Sequence, residues 1–202
     1  MKKRVLLLDV GGVLILSKRR AVFANWAKKL GRPADFIRQL ISDYNAVLAS
    51  GKSYSVYDYL ADRNIDWIDE PTFEQLRREL WASEYLNMEL LSYVLEHSAD
   101  YTFALLTNNF RGLGRLLNEK FKIPKFYKAV INSSDIGLLK PDPSIFLHTL
   151  KTLNVAPEDC IFVDDKAENV KMARELKMEG IIYTNFTSFQ RELESLNQSG
   201  VL

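Results

Sequence analysis

The chain has 202 residues, of which 47% are hydrophobic, and its 27 basic and 26 acidic side chains give a formal net charge of +1. A chain of this length and apolar content builds its own hydrophobic core, as one domain or as one domain with an insertion. The balanced charge argues against nucleic acid and anionic membranes as partners, so we expect the partner to be a small molecule.

The start of the chain and its single cysteine bear on where the protein works. Met1–Arg4 is basic, as in a secretory signal, but Asp9 interrupts the apolar run that follows and no small-residue cleavage site comes after it. No stretch is apolar over the length that crossing a bilayer requires. Cys160 has no partner for an internal disulfide and lies in an apolar run, which predicts a core position. We therefore expect a cytoplasmic protein.

The first predicted element is a buried strand that ends in a carboxylate. The unbroken apolar run Val5–Leu8 leads into Asp9, and Gly11 and Gly12 follow closely. Such a run, bounded by glycine, is typical of a central strand covered on both faces. Open α/β sheets bind ligands at the carboxyl ends of their strands, and a carboxylate is costly to bury there unless it binds a cation or reacts. Taken alone, Asp9 is equally well explained as a polar turn residue.

Residues 17–85 have a helical pattern, and we interpret them as a small helical cap inserted after the first strand. Trp26 and Leu30 lie at helical spacing, and Gly31 follows them as a C-cap. Similar patterns predict helices over 34–48, 56–64, 72–82 and 87–97. We expect the three tryptophans of this segment in the core of the cap: Trp26, Trp67 and Trp81.

From residue 101 to the end, strands alternate with helices. The predicted strands cover 101–106, 128–132, 160–163 and 181–183, and the predicted helices cover 112–121, 143–153, 167–176 and 186–196. Residues 133–140 are predicted to form a loop. Alternation of this kind implies parallel strands joined by right-handed crossovers. The predicted fold class is α/β, a Rossmann-like parallel sheet flanked by helices, with residues 1–16 and 86–202 as the core and residues 17–85 as the cap.

Polar side chains follow three of the predicted strands. They are Asp9, the pair Thr107 and Asn108, and the pair Asp164 and Asp165. Because the carboxyl ends of parallel strands meet at one edge of a sheet, we expect these side chains to share one crevice. A loop between the second and third clusters adds Lys140. Together they offer carboxylates for a hard cation, small donors for an oxyanion, and one ammonium group.

The chain resembles the haloacid dehalogenase-like hydrolase superfamily over nearly its whole length. Four family motifs occur in the family's order: Leu7-Leu8-Asp9-Val10-Gly11-Gly12-Val13, Leu105-Leu106-Thr107-Asn108-Asn109, Leu138-Leu139-Lys140-Pro141-Asp142-Pro143 and Phe162-Val163-Asp164-Asp165. Each motif alone has an ordinary explanation, such as a helix N-cap or a solvated lysine. All four in order favour one active site. Within the superfamily, the chain is similar to bacterial glucose-1-phosphate phosphatases and to the N-terminal phosphatase domain of epoxide hydrolases.

This resemblance implies a magnesium-dependent phosphatase that hydrolyses a small phosphorylated metabolite, such as a sugar phosphate, through an aspartyl-phosphate. Asp9 would be the nucleophile that attacks phosphorus. Lys140 would place its charge between nucleophile and phosphate, and Thr107 and Asn108 would bind phosphate oxygens.

The resemblance also implies the ligands of the magnesium ion. They would be Asp9, the backbone carbonyl of Gly11, and a carboxylate of the pair formed by Asp164 and Asp165. Asp165 is favoured as the direct ligand, with Asp164 as a second ligand or as support. The sequence makes no prediction of the oligomeric state.

The chain departs from the family pattern at Gly11, where most phosphatases of the superfamily have a second aspartate that serves as general acid and base. Loss of such a group typically costs about 10²- to 10⁴-fold in rate. Three interpretations remain open. The favoured one is a phosphatase whose substrate has a good leaving group, such as an anomeric sugar phosphate, or whose water is activated by another side chain.

The other two interpretations are a 2-haloacid dehalogenase and a regulator or binding protein that has kept the fold. A halide leaves without a proton, but a metal-free reaction at carbon needs no pair of carboxylates such as Asp164 and Asp165. A binding protein in turn needs no nucleophile. In the predicted cap, Arg19 and Arg20 are candidates for reaching a phosphate or sugar.

Overall fold

A computed structural model describes residues 3–123 and 125–199, and its strands and helices follow the predicted alternation. The strands are β1 (Arg4–Leu8), β2 (Ile15–Ser17), β3 (Glu84–Leu86), β4 (Tyr101–Thr107), β5 (Tyr127–Asn132), β6 (Cys160–Asp164) and β7 (Glu179–Ile182). The helices are α1 (Arg19–Leu30), α2 (Ala34–Ala49), α3 (Val56–Asp62), α4 (Glu70–Ala82), α5 (Met88–Glu96), α6 (Leu113–Glu119), α7 (Ser133–Ile136), α8 (Pro143–Leu153), α9 (Ala167–Glu175) and α10 (Phe186–Ser199).

The described strands β5, β4, β1, β6 and β7 form, in this order, one parallel sheet. The central strand β1 is covered on both faces, because Leu6 and Leu8 lie in one hydrophobic cluster and Val5 and Leu7 lie in another. Helices α5 and α10 contribute to the first cluster, and α8 and α9 contribute to the second. The predicted α/β fold, a Rossmann-like parallel sheet flanked by helices, is confirmed.

The helices α1 to α4 have a hydrophobic cluster of their own, which includes the fully buried Trp26, Tyr59 and Phe73. The chain enters and leaves this segment through β2 and β3, which pair antiparallel. This arrangement supports our interpretation of the segment as a cap, and its boundaries at residues 17 and 85 remain a prediction. Residues 1, 2, 124 and 200–202 of the predicted core lie outside the described part of the chain.

Several local predictions were wrong. The segment 17–85 is not helical to its end, since Glu84–Leu86 is a strand that pairs with Ile15–Ser17. Strands of three residues show no readable periodicity, and this pairing joins residues far apart in the sequence. Residues 133–140 contain a one-turn helix, Ser133–Ile136, where we expected only a loop.

The prediction for the tryptophans was confirmed for Trp26 and was wrong for Trp81. Trp81 is 38% exposed and packs on Phe110 of the sheet domain, with 5.6 Å between ring centroids. Trp67 lies partly buried against the cluster of α1 to α4. Cys160 is fully buried as expected, and burial raises the pKa of its thiol to about 12. Among the described helices, none has both the length and the apolar character that spanning a membrane requires.

Candidate active site

Asp9 lies directly after β1, at the carboxyl edge of the sheet. Its backbone N–H donates to the carbonyl of Val163 at 2.9 Å, which continues the pairing of β1 with β6 for one more residue. The residue is only 7% exposed. The pKa of Asp9 is raised by burial; the ammonium of Lys140 opposes this shift, and Asp164 adds to it. The strand thus delivers a carboxylate into a buried position, as the sequence predicts.

Lys140 lies between two buried carboxylates. Its Nζ is 3.0 Å from Asp9 Oδ1 and 2.6 Å from Asp164 Oδ2, and it also donates to the carbonyl of Leu106 at 2.9 Å. Burial by itself lowers the pKa of Lys140, but the two carboxylates raise it above its ordinary value. The side chain is therefore an ammonium ion at neutral pH, fixed beside Asp9.

Asn108 holds the backbone of Lys140 on both sides. Its Nδ2 donates to the carbonyl of Lys140 at 2.8 Å, and its Oδ1 accepts from the backbone N–H of Lys140 at 2.9 Å. The side chain that we expected on a phosphate oxygen is thus engaged in positioning the lysine. Thr107 ends β4 beside it and is 2% exposed. Phosphate binding by Thr107 and by the backbone of Asn108 remains a prediction.

Asp164 is completely buried, and both of its oxygens accept hydrogen bonds. Oδ2 accepts from Lys140 and, at 3.0 Å, from Nδ2 of Asn169, while Oδ1 accepts from the backbone N–H of Lys166 at 2.8 Å. The neighbouring Asp165 is exposed. Burial and repulsion from Asp9 and Asp164 raise the pKa of Asp165 to about 6. The two aspartates therefore have different surroundings, which the sequence alone does not reveal.

Three carboxylates meet at this edge of the sheet. One oxygen from each of Asp9, Asp164 and Asp165 lies within 4.8 Å of the other two. Although Asp9 Oδ1 is in ion-pair contact with Lys140, it has no donor in hydrogen-bond geometry among the described residues. One ammonium group does not balance three carboxylates that lie this close together, and a hard cation would stabilise them. The residues therefore fit a Mg²⁺ ion.

The loop after Asp9 is shaped by its glycines. Gly12 has φ +85°, and a β-carbon on it would lie 2.3 Å from Asp165 Oδ2. Only glycine allows the chain to approach that carboxylate so closely. Gly11 forms an isolated β-bridge with Ile15, and a β-carbon on it would meet no described atom within 4 Å. The Gly11 carbonyl remains a predicted metal ligand.

In the described part of the chain, two predicted site residues, Arg19 and Arg20, do not reach the carboxylates, and one residue that was not predicted from the sequence, Asn169, belongs to the site. Arg19 donates to Ser17 Oγ at 2.7 Å, and no hydrogen bond or ion pair among the described residues joins Arg19 or Arg20 to the carboxylates. Sequence reasoning missed Asn169, whose amide fixes Asp164. The available signal was its place five residues after Asp164, in the first turn of the following helix.

The fold and the site together define a class of protein: a Rossmann-like enzyme with a buried carboxylate, a lysine and an aspartate pair at the carboxyl edge of its sheet. A family model described as haloacid dehalogenase-like hydrolase matches residues 3–177. The chain therefore belongs to this family, and it is a hydrolase.

Individual proteins resemble the chain at low identity. Bifunctional epoxide hydrolase 2 of Mus musculus is 25% identical over 97% of this chain and 39% of its own length. Flavin mononucleotide hydrolase 1 of Arabidopsis thaliana is 36% identical over 59% of this chain and 49% of its own length. The chain thus spans less than half of the length of these two curated relatives.

Among solved structures, a HAD family enzyme from Bacteroides thetaiotaomicron, in complex with magnesium and inorganic phosphate, superposes with a TM-score of 0.67. The two chains are 18% identical, with 91% of this chain and 95% of the other covered. This likeness shows the fold.

Proposed function

We propose that this hydrolase is a magnesium-dependent phosphatase that acts on a small phosphorylated metabolite through an aspartyl-phosphate on Asp9. The observation that carries the proposal is the buried carboxylate of Asp9, whose Oδ1 lies 3.0 Å from the Lys140 ammonium and which shares the sheet edge with Asp164 and Asp165. A buried carboxylate with a fixed cation beside it has the arrangement of an activated nucleophile.

Magnesium would be held by Asp9 and Asp165, with the carbonyl of Gly11 as a further oxygen ligand. Asp164 is the weaker candidate, because both of its oxygens already accept hydrogen bonds. When bound, the ion neutralises negative charge on the phosphate and on the carboxylates. The Bacteroides enzyme of the same fold, which binds magnesium and phosphate, supports this assignment.

The residues of the chain then perform two displacements at phosphorus. In the first, a carboxylate oxygen of Asp9 forms a bond to phosphorus, and the bond from phosphorus to the leaving oxygen breaks. In the second, water attacks phosphorus, the bond to Asp9 breaks, and inorganic phosphate and the free carboxylate result. Throughout, Lys140 offsets the charge between the carboxylate and the phosphate oxygens, and Thr107 offers its hydroxyl to one of them.

Gly11 limits the substrates that this site handles well. Because glycine has no proton to give, the leaving oxygen must take its proton from water. Leaving groups that carry negative charge readily, such as the anomeric oxygen of a sugar phosphate, are therefore favoured over ordinary alkoxides. We place the substrate between the sheet edge and the helices α1 to α4, which we propose as a cap, in a cytoplasmic enzyme.

The test is release of inorganic phosphate from p-nitrophenyl phosphate, anomeric and primary sugar phosphates, and flavin mononucleotide, with Mg²⁺ or with EDTA. We expect release with Mg²⁺ alone and faster turnover of anomeric than of primary phosphates. Asp9→Asn, nearly isosteric but without a nucleophilic oxygen anion, is the matched control and should be inactive. Absence of release from every compound, or halide release from 2-haloacids, would refute the phosphatase assignment.

A further inference from the structure

One buried hydroxyl, that of Ser133, links the cap to the segment that follows β4. Ser133 begins α7 and has no solvent exposure. Its Oγ donates to the carbonyl of Ala49 at 2.8 Å and accepts from the backbone N–H of Asn109 at 3.2 Å. A single side chain therefore joins the end of α2 to the segment that carries Thr107 and Asn108.

The carbonyl that Ser133 contacts is one that helix α2 leaves unpaired. Ala49 is the last residue of α2, and carbonyls of the last helical turn have no donor within the helix. Ala49 is itself 5% exposed, so water has little access to it. A buried carbonyl without a donor is costly. Seating of α2 on the sheet domain therefore depends on this hydroxyl.

Gly51 makes a second contact at the same place. It has φ +83°, and a β-carbon on it would lie 2.7 Å from the carbonyl oxygen of Ser134. The chain of the cap thus approaches α7 more closely than any residue with a side chain permits. The three heavy atoms nearest to that β-carbon belong to Ser134 and Arg111, and none of them belongs to Asn109.

On the other side of the link, the segment after β4 is held at several points. Asn108 brackets the backbone of Lys140, and the carbonyl of Phe110 accepts from Nδ2 of Asn132 at 3.0 Å. Asn109, between them, is held by Ser133. Displacement of Ser133 would therefore shift the backbone of Asn109 and, with it, the neighbouring Asn108 that positions Lys140.

We propose that Ser133 is a positioning residue that couples docking of the cap to the geometry of the segment Thr107–Asn109. That the segment binds phosphate rests on the proposed phosphatase function. The structural coupling between the cap and the segment through Ser133 does not depend on that function. The position of the segment Thr107–Asn109 then depends on whether the end of α2 is docked on Ser133. A substrate whose leaving group also contacts the cap stabilises the seated state, so such substrates should be preferred over small aryl phosphates.

The coupling is tested by a double-mutant cycle on Ser133→Ala and Gly51→Ala, read by amide hydrogen exchange at Asn109 in the metal-free, substrate-free protein. Ser133→Ala removes the acceptor of the Asn109 amide and should speed its exchange about fivefold. Gly51→Ala, whose added β-carbon meets Ser134 and Arg111 first, should speed it as well, by loosening the cap. In the Ser133→Ala background, Gly51→Ala should add nothing at Asn109.

Ser134→Ala is the matched control, because Ser134 is an equally buried neighbour whose hydroxyl accepts from Asn132, and no hydrogen bond among the described residues joins that hydroxyl to the cap. In this variant Asn132 keeps its hydrogen bond to the carbonyl of Phe110. It should leave exchange at Asn109 near the wild-type rate. The proposal is overturned if Gly51→Ala leaves Asn109 unchanged, if its effect persists without the Ser133 hydroxyl, or if Ser134→Ala behaves like Ser133→Ala.

A kinetic measurement links the coupling to the reaction. With a substrate that extends to the cap, Ser133→Ala should raise KM several-fold with a smaller change in kcat, and p-nitrophenyl phosphate should be affected less. An inactive wild-type protein would refute the phosphatase function and leave the exchange result standing. Equal effects on both substrates would refute the role of Ser133 in substrate choice.

Discussion

Asp164 and Asp165 are adjacent in the sequence, yet their surroundings assign them different roles. Asp164 is completely buried and accepts hydrogen bonds from Lys140, Asn169 and the backbone of Lys166. Asp165 is exposed, and one of its oxygens lies within 4.8 Å of an oxygen of each of the other two carboxylates. We infer that Asp164 supports the lysine and that Asp165 binds the metal.

Substitution of each aspartate by asparagine should separate these roles. Asp164→Asn removes one partner of a buried ion pair and should destabilise the protein by about 3 kcal/mol, measured by urea unfolding. Asp165→Asn should leave the free energy of unfolding of the metal-free protein unchanged or higher and weaken Mg²⁺ binding at least tenfold, measured by calorimetry. The reverse pattern would show that the assignment is wrong.

The raised pKa of Asp165 predicts a pH dependence of stability in the metal-free protein. The folded-state pKa is about 6, against an ordinary value of 3.8. Between these values the folded protein binds more protons than the unfolded chain, so the contribution of this group to stability decreases as the pH rises from about 4 to 6. Thermal unfolding in EDTA should show this decrease in the wild type, and Asp165→Asn should lack that component. An identical pH profile for both proteins would contradict the prediction.

The loop that joins β1 to β2 contains two adjacent glycines with different requirements. Gly12 has a positive φ and lies against Asp165, whereas a β-carbon on Gly11 meets only open space. Gly12→Ala should therefore displace Asp165 and weaken Mg²⁺ binding, while Gly11→Ala, the matched control, should bind Mg²⁺ nearly as well as the wild type. Calorimetric titration with Mg²⁺ measures both, and equal affinities in the two variants would contradict the account.

Space at Gly11 also allows the missing general acid to be restored. Gly11→Asp should raise kcat for primary alkyl phosphates by up to about 10²-fold, because a carboxylic acid then protonates the leaving oxygen. Turnover of p-nitrophenyl phosphate, whose leaving group needs no proton, should change much less. An equal gain on both substrates would mean that the added carboxylate acts in another way.

An element could be predicted from the sequence when its own residues show how it is stabilised. The strands that contain Val5–Leu8 and Cys160–Val163 are buried on both faces, and an unbroken apolar run shows this directly. The strand Glu84–Leu86 exists because it pairs with Ile15–Ser17, and neither segment is long enough to show a period. The one-turn helix Ser133–Ile136 was missed for the same reason.

The candidate site was predictable to a similar extent. The topological argument and the family motifs predict that Asp9, Lys140 and Asp164 lie together, and the structure brings them together. Asn169 and Ser133 were missed, because amide and hydroxyl side chains at the start of a helix are usually capping residues, and their position alone does not identify their partners. Only the folded structure shows that their partners are Asp164 and the cap.

The molecule as a whole consists of a parallel sheet covered on both faces and a helical segment with its own apolar cluster. The sheet edge supplies the reactive groups, and the helical segment, which we propose as the cap, is tied to that edge at Ser133. This division predicts that chemistry and substrate choice are separable. Substitutions at Asp9 should lower turnover of all substrates alike, whereas substitutions at Ser133 should affect turnover of some substrates more than of others.

The most direct test of the central claim is an acid quench during turnover of a ³²P-labelled substrate, followed by peptide mapping. We predict an acid-stable, base-labile phosphoryl group on the peptide that contains Asp9, formed with Mg²⁺, absent with EDTA and absent in Asp9→Asn. Magnesium-dependent phosphate release without label on the protein, or with label on another residue, would contradict the role of Asp9 as the nucleophile.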